Sequence, residues 1–274
     1  MINPPEFYYT VHPADTIRAR LIPNRKIMVV ATAYWKEEKK KFKIRRPPAD
    51  HIKSLAIDSG GFTAHKRWGK YPWSHEQYIE FVRKMSRDVT LDFCAVMDYA
   101  CERQVNRSTY ETNRERIEAT IKNEITLRNL APDLPWLAVF QGNTLEERAW
   151  DIRQRLKLGL IHSIMGIGSI CGRNPRESRE VIRFYMQQLP DVRYHAFGLD
   201  IRTFDKADDV FWAVASWDSY TWNWGRGMTQ IRDSERQHKS GETWSDYTRR
   251  LAEQFEEKTL NKRLNASRLT LVSE

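Results

Sequence analysis

Cysteine is scarce in this 274-residue chain: Cys94, Cys101 and Cys171 are the whole supply. An odd, sparse set argues against a disulfide scaffold and suits a reducing cytosol. No CxxC or CxCxxC spacing occurs, so a structural zinc site has no support in the sequence. No apolar run approaches the roughly 20 residues that a membrane-spanning helix needs. The opening MINPPEFYYT lacks the basic-then-apolar design of a signal peptide. Seven histidines are scattered without an HxH or HExxH pattern, which argues against a histidine-held metal. The expectation is a cytoplasmic protein that needs no membrane, metal or cofactor.

What is abundant is positive charge. Lys and Arg total 45 against 36 Asp and Glu, a formal net of +9. A basic surface draws phosphate backbones through counterion release, which puts a nucleic-acid partner modestly ahead of an anionic membrane or no specific partner. The densest run is KEEKKKFKIRR at 36–46, which reads as a solvated loop with phosphate contact as its alternative. The hydrophobic fraction of 41% supports a real core and excludes wholesale disorder.

Short apolar runs alternate with longer charged segments of helical period. The runs lie at 26–35, 54–62, 93–99, 136–142, 163–169, 193–200 and 213–220. Each is of strand length and almost continuously apolar, the pattern of strands buried on both faces. Helices are expected at 74–85, 107–130, 144–160, 175–189 and 205–214. Ser74 with Gln77 and Thr144 with Glu147 have capping-box spacing, and Asn174-Pro175 is a cap followed by proline at the first helical position. Repeated β-then-α predicts a parallel sheet. Seven visible strands favour an α/β fold of the (β/α)8 TIM-like barrel type, with an open doubly wound sheet as the alternative. The eighth strand is sought at 6–11 or 222–229. Without repeats or a convincing linker, residues 1–274 read as a single domain with a C-terminal amphipathic helix at about 242–264.

In a parallel barrel, chemistry gathers at the C-terminal strand ends. Polar groups end five of the seven runs: Asp58 before Ser59-Gly60-Gly61, Asp98 in AVMDYACE, Gln141-Gly142, Gly166 with Gly168, and Asp218 in SWDSYTW. A buried acid at a strand end is costly unless paired or used. Each has a bland reading too. Asp58 also reads as the cap of a turn, Asp98 as a helix N-cap or ion-pair partner, and Trp217 and Trp222 as core. Functionally, Asp98 suits a planar donor edge such as guanine N1–H with its 2-amino group. The Gln141 amide suits O6, and the glycines of MGIGS would bare N–H groups and leave room for a flat ligand. His51, His65, His75, His162 and His195 read as surface or core.

DSGGF, VMDYAC, VFQG, MGIG, HAFGL and WDS, in this order, resemble the tRNA-guanine transglycosylase superfamily over residues 58–218. The short chain and the SWDSYTW form look most like its DNA-modifying branch, deoxypurine in DNA protein A (DpdA). The resemblance implies that guanine in DNA is exchanged for a 7-deazaguanine, such as 7-cyano-7-deazaguanine, through a covalent aspartyl-glycosyl intermediate. By position it makes Asp218 the nucleophile and Asp58 the general acid/base. Asp98, Gln141, Gly166 and Gly168 would hold the base, Phe62 and Phe197 would sandwich it, and Ser59 would help hold the pocket. The partners implied are DNA, with tRNA as alternative, the free 7-deazaguanine base, and accessory modification proteins. The zinc insertion that follows the nucleophile in the tRNA enzymes is missing, since no cysteine follows Cys171, and the segment after MGIG is altered to SICGRNP. Arg173, Arg176, Arg226 and Arg232 are the candidate phosphate contacts. The rival reading is a non-exchanging barrel glycosidase or hydrolase built on Asp58, Asp98 and Asp218.

Overall fold

The computed structural model describes residues 5–11, 13, 23–102, 109–204, 209–219 and 257. It is a mixed α/β structure around one large parallel sheet. The strands are β1 (Glu6–Val11), β2 (Arg25–Val30), β5 (Ile52–Asp58), β6 (Leu91–Ala95), β7 (Trp136–Leu137), β8 (Val139–Phe140), β9 (Ile164–Ile167), β10 (Arg193–Ala196) and β11 (Val214–Ser219). A two-stranded antiparallel hairpin, β3 (Trp35–Lys36) and β4 (Lys41–Phe42), lies apart from them. The helices are α1 (Gly61–Trp68), α2 (His75–Ser86), α3 (Asn113–Leu130), α4 (Leu145–Leu158), α5 (Pro175–Gln188) and α6 (Asp209–Ala213).

The nine sheet strands run in the order β7-β6-β5-β2-β1-β11-β10-β9-β8, every pairing parallel. The two ends of that order are neighbours in sequence: only Ala138 separates β7 from β8. The sheet is therefore nearly closed and barrel-like. The run at 136–142 was expected as one strand; it pairs with β6 on one half and β9 on the other. Of the two segments offered for the extra strand, 6–11 forms it, between β2 and β11; residues 222–229 and 242–264 lie outside those described.

The expected helices form, with shifted ends. Three carry the anticipated caps, as the side chains of Ser74, Thr144 and Asn174 accept from backbone N–H groups three residues on. A fourth capping box, Thr112 with Glu115, starts α3 later than the expected residue 107. Each cap contributes about 1 kcal/mol. Two expectations are corrected. The run at 54–62 ends as a strand at Asp58, and α1 begins at Gly61, because Gly60 takes φ +77° and turns the chain where a Cβ would be strained. The run at 36–46 contains the β3–β4 hairpin, since Trp35 and Phe42 fold onto Trp73 and anchor it.

The main core lies between sheet and helices, with Ile27, Val29, Leu55, Ile57, Val82, Ile182 and Tyr185 among its buried members. A smaller cluster of Tyr8, Met28 and Ala56, joined by Phe93 and Phe197, fills the sheet's other face. Near the strand starts, Asp92 accepts from the Tyr8 hydroxyl (2.7 Å), Ser54 (2.5 Å) and Lys26 (3.0 Å), and Lys26 also pairs with Glu6 (2.6 Å). This satisfied polar plug leaves the strands' C-terminal ends as the open mouth.

Candidate active site

At that mouth, a cavity of about 110 Å3 is lined by Asp58, Asp98, Asp218, Glu102, Phe62, Phe197, Gly60, Gly61, Gly168 and Ser169, among others. Three carboxylates expected from separate strand ends thus share one cleft. Burial raises the Asp58 carboxyl to about 8, helped by the negative charges of Asp98 and Asp218 and opposed by the Gly60 N–H, which donates to its Oδ1 at 2.9 Å. The turn-capping and the pocket readings of Asp58 therefore hold together. Burial also raises Asp98, against the hydrogen bonds it accepts.

Asp98 is tightly oriented. Ser59 donates to Oδ1 (2.7 Å) and the Gln141 amide to Oδ2 (2.5 Å), while Tyr71 donates to its backbone carbonyl (2.8 Å). Gln141 is fully buried and held at both ends, its backbone N–H donating to Asp151 (2.8 Å) and its side-chain oxygen accepting from Ser169. Asp151 in turn belongs to a buried ion-pair network with Arg155 and Glu124, and Arg155 also donates to the Val139 carbonyl. This network supports the end of β8 from behind.

The glycines of MGIGS do something other than expected. The Gly166 and Gly168 N–H groups are used within the sheet, donating to Ala138 O (2.7 Å) and Phe140 O (2.9 Å). A Cβ on Gly166 would stand 2.7 Å from the Phe197 ring, and one on Gly168 would stand 2.2 Å from Gln141 Nε2. Their missing side chains make room for Phe197 and Gln141 rather than baring donors. Ser169 follows with φ +51°, uncommon for a residue with a side chain. It is held there by Cys101 N–H on its hydroxyl (2.8 Å) and by Arg148 (2.8 Å) and Arg173 (3.0 Å) on its carbonyl. Such strain persists where surroundings over-determine it.

Asp218 is buried near the end of β11. The Thr10 hydroxyl donates to its Oδ2 (3.2 Å) and the Gly198 N–H to its Oδ1 (2.9 Å). His195 Nε2 lies 3.5 Å from Oδ1, while its Nδ1 is 2.8 Å from the Ser216 hydroxyl. His195 is fully enclosed, with Phe93 and Phe197 against its ring. Thr10, His195, Gly198 and Glu102 were missed from sequence. His195 has no spacing that separates it from the other histidines. Glu102 lies inside AVMDYACE, four residues past Asp98; burial raises it to about 7.

Phe62 and Phe197, both half-buried, line the cavity, and Lys66 lies 5.7 Å from the Phe62 ring centroid. Trp217 is core, packed on Phe7 and Phe204. Arg173 is spent on protein acceptors, Ser169 O and Asn143, which counts against its expected role at phosphates. Arg176 is exposed, and Arg226 and Arg232 lie outside the described residues, as does Trp222. Among the described residues, no group of three or more His, Cys, Asp or Glu is disposed to hold a metal ion, and no helix is long and apolar enough to cross a membrane.

Comparison with curated proteins gives no match. The family described as DeoxyPurine in DNA protein A (DpdA) matches residues 29–269, nearly the whole chain and every strand-end residue discussed above except Thr10. By that match, the chain belongs to the DpdA family, within the tRNA-guanine transglycosylase superfamily, and has a DNA-modifying, transglycosylase-type function in the general sense.

Proposed function

We propose that the chain exchanges guanine in DNA for a 7-deazaguanine, such as 7-cyano-7-deazaguanine, by double displacement at the sugar. What carries the reading is the shared cavity of Asp58 and Asp218, one carboxyl raised to about 8 and the other backed by fixed donors. A pair of carboxyl groups in unlike settings is what retaining displacement at an anomeric carbon needs.

In the first step an Asp218 oxygen bonds to C1′ as the C1′–N9 bond breaks, and protonated Asp58 delivers its proton to the departing guanine. In the second, N9 of the incoming base displaces Asp218 from C1′, and the proton lost from N9 returns to Asp58. Asp98 accepts from the base's N1–H and 2-amino edge. Gln141 keeps one amide hydrogen for O6 after giving the other to Asp98. Phe62 and Phe197 stack on a base flipped out of the duplex, which offsets an unstacking cost of a few kcal/mol. We also read the sheet as a (β/α)8 barrel, with β7 and β8 as one strand interrupted at Ala138, and the chain as a single domain.

The test is label retention. Purified protein is incubated with labelled guanine and either DNA or tRNA, and nucleosides are analysed by mass spectrometry after supply of a 7-deazaguanine. DNA should retain label and gain the deazapurine. Asp218→Ala should abolish both while binding DNA nearly as well as wild type. Undiminished exchange by Asp218→Ala would remove the nucleophile, and label in tRNA alone would remove DNA as substrate.

A further inference from the structure

We propose that the β3–β4 hairpin and the exposed side of α1 form a track for the DNA phosphate backbone leading into the cavity; the DNA identity of the polymer rests on the function proposed above. The structure divides the basic run at 36–46 into two parts. Its far end descends the outside of the fold, where Arg46 is taken up by Asp88, just beyond the C-terminal end of α2. Its near end, Lys36, Lys39, Lys40 and Lys41, follows β2, whose last residue, Val30, lines the cavity.

That near end sits on a rigid base. Trp35 and Phe42 pack on Trp73 (ring centroids 5.4 and 4.9 Å), and Phe42 stacks on Phe81 (4.4 Å). Gln77 donates to the Lys40 carbonyl (3.3 Å), and Lys40 turns the hairpin with φ +44°. Glu37 ties the hairpin to α1 by accepting from Arg67 (3.2 Å) and Trp68 (3.0 Å).

Helix α1 supplies the link to the cavity. Phe62 and Thr63 in its first turn line the cavity, Arg67 and Trp68 at its other end reach the hairpin's Glu37, and Lys66 within it and Lys70 just past it are exposed. Lys36, Lys39, Lys40, Lys41, Lys66 and Lys70 form no ion pair with a described carboxylate, while Glu37 and Glu38 sit among them in the hairpin turn. Eight residues of α1 span about 12 Å at 1.5 Å each. Laid along the duplex axis, that length covers about three phosphates of one strand at about 3.4 Å of axial rise each. A fixed, predominantly basic strip of this length, ending at the base pocket, matches a linear polyanion.

The track is tested with Lys39→Glu/Lys40→Glu/Lys41→Glu, a milder glutamine version of the same triple, and a control reversing Lys122, Arg153 and Lys157 on α3 and α4. Affinity for a fluorescein-labelled DNA is followed by anisotropy from 50 to 200 mM salt. The hairpin triple should bind at least tenfold more weakly at 50 mM salt. Its slope of log affinity on log salt should be shallower by up to about 2.7, since each of the three lost phosphate contacts removes about 0.9. The glutamine version should show part of the loss, the control little, and KM for DNA in exchange should rise with the binding loss. Unchanged affinity and slope in the hairpin triple, or equal losses in triple and control, would overturn the track. Wild-type protein that binds with the predicted slope but exchanges no base would sink the exchange reading alone. Exchange with unaltered hairpin-variant binding would sink the track alone.

Discussion

Replacing Asp58 by asparagine should make the protein more stable in alkali. The amide keeps the shape of the side chain and an oxygen to accept from Gly60 N–H, but it cannot ionise. In the wild type, burial and the charges of Asp98 and Asp218 raise this carboxyl from 3.8 to about 8. The folded state therefore holds a proton that the unfolded state releases near pH 4. Stability from this group is complete below about pH 4, declines as pH rises, and is gone above about pH 8. At 1.36 kcal/mol per tenfold, the loss between pH 5 and pH 9 has an upper bound of about 4 kcal/mol. Chemical unfolding of both proteins at pH 5 and pH 9 measures it. Asp98 and Glu102 are raised as well, so both proteins weaken toward pH 9; the wild type should weaken more, by up to that amount. Parallel curves would refute the claim that Asp58 carries a proton at neutral pH. The same group, as the proposed acid, should make wild-type exchange fall as pH rises past about 8, and Asp58→Asn should exchange little at any pH.

Gly168→Ala puts a methyl 2.2 Å from Gln141 Nε2. It should cost about 1–3 kcal/mol in unfolding experiments, as overpacking does, and raise KM for the free base by detaching Gln141 from Asp98. His195→Phe removes the imidazole beside Asp218 Oδ1. The imidazole Nε2 stands 3.5 Å from Oδ1 without a hydrogen-bond partner among the described residues. On the reading that it closes on Asp218 during displacement, a loss of about 100-fold in covalent DNA adduct formation is expected by the magnitude of a lost donor, with His195→Gln recovering much of it; equal rates in both variants would make His195 a packing residue only. Arg155→Leu leaves Asp151 with the Gln141 N–H alone and Glu124 with Arg128 and His162, and should destabilise by up to about 3–5 kcal/mol on denaturant titration.

Much of this was readable in the chain because strand-end polarity is a local signal. Asp58, Asp98, Gln141 and Asp218 each follow a run of apolar residues, so their positions at the mouth follow from strand length alone. Helix starts were legible for the same reason: Ser74, Thr144 and Asn174 sit next to the N–H groups they satisfy. What stayed hidden depends on pairing across the sheet. Thr10 reaches Asp218 only because β1 lies beside β11, 208 residues away in sequence. His195 looks like any other histidine until the β10–β11 register sets it opposite Ser216. That Gly168 makes room for Gln141 was not legible, because a glycine's empty space says nothing about which neighbour fills it.

The arrangement also accounts for the cost of gathering acids. Asp58, Asp98, Asp218 and Glu102 line one small cavity, and burial works against the charge of Asp58, Asp98 and Glu102. The donors are unevenly shared. Asp98 takes Ser59 and Gln141 on its carboxylate, and Asp218 takes Thr10 and Gly198 with His195 near by. Asp58 takes one backbone N–H. The side chain least provided with donors is the one raised to about 8, which is the property an acid at neutral pH requires. The proposed division of labour thus follows from burial and the Asp98 charge, which at Asp58 only one hydrogen bond opposes. It makes a further demand on the molecule: adding a donor to Asp58 should lower its proton affinity and move the alkaline fall in exchange to lower pH. Val30, which lines the same cavity and pairs with Asp58 in the sheet, is the position at which to place one. Val30→Thr, nearly unchanged in volume, should shift that limb downward, and an unmoved limb would mean that a group other than Asp58 sets it.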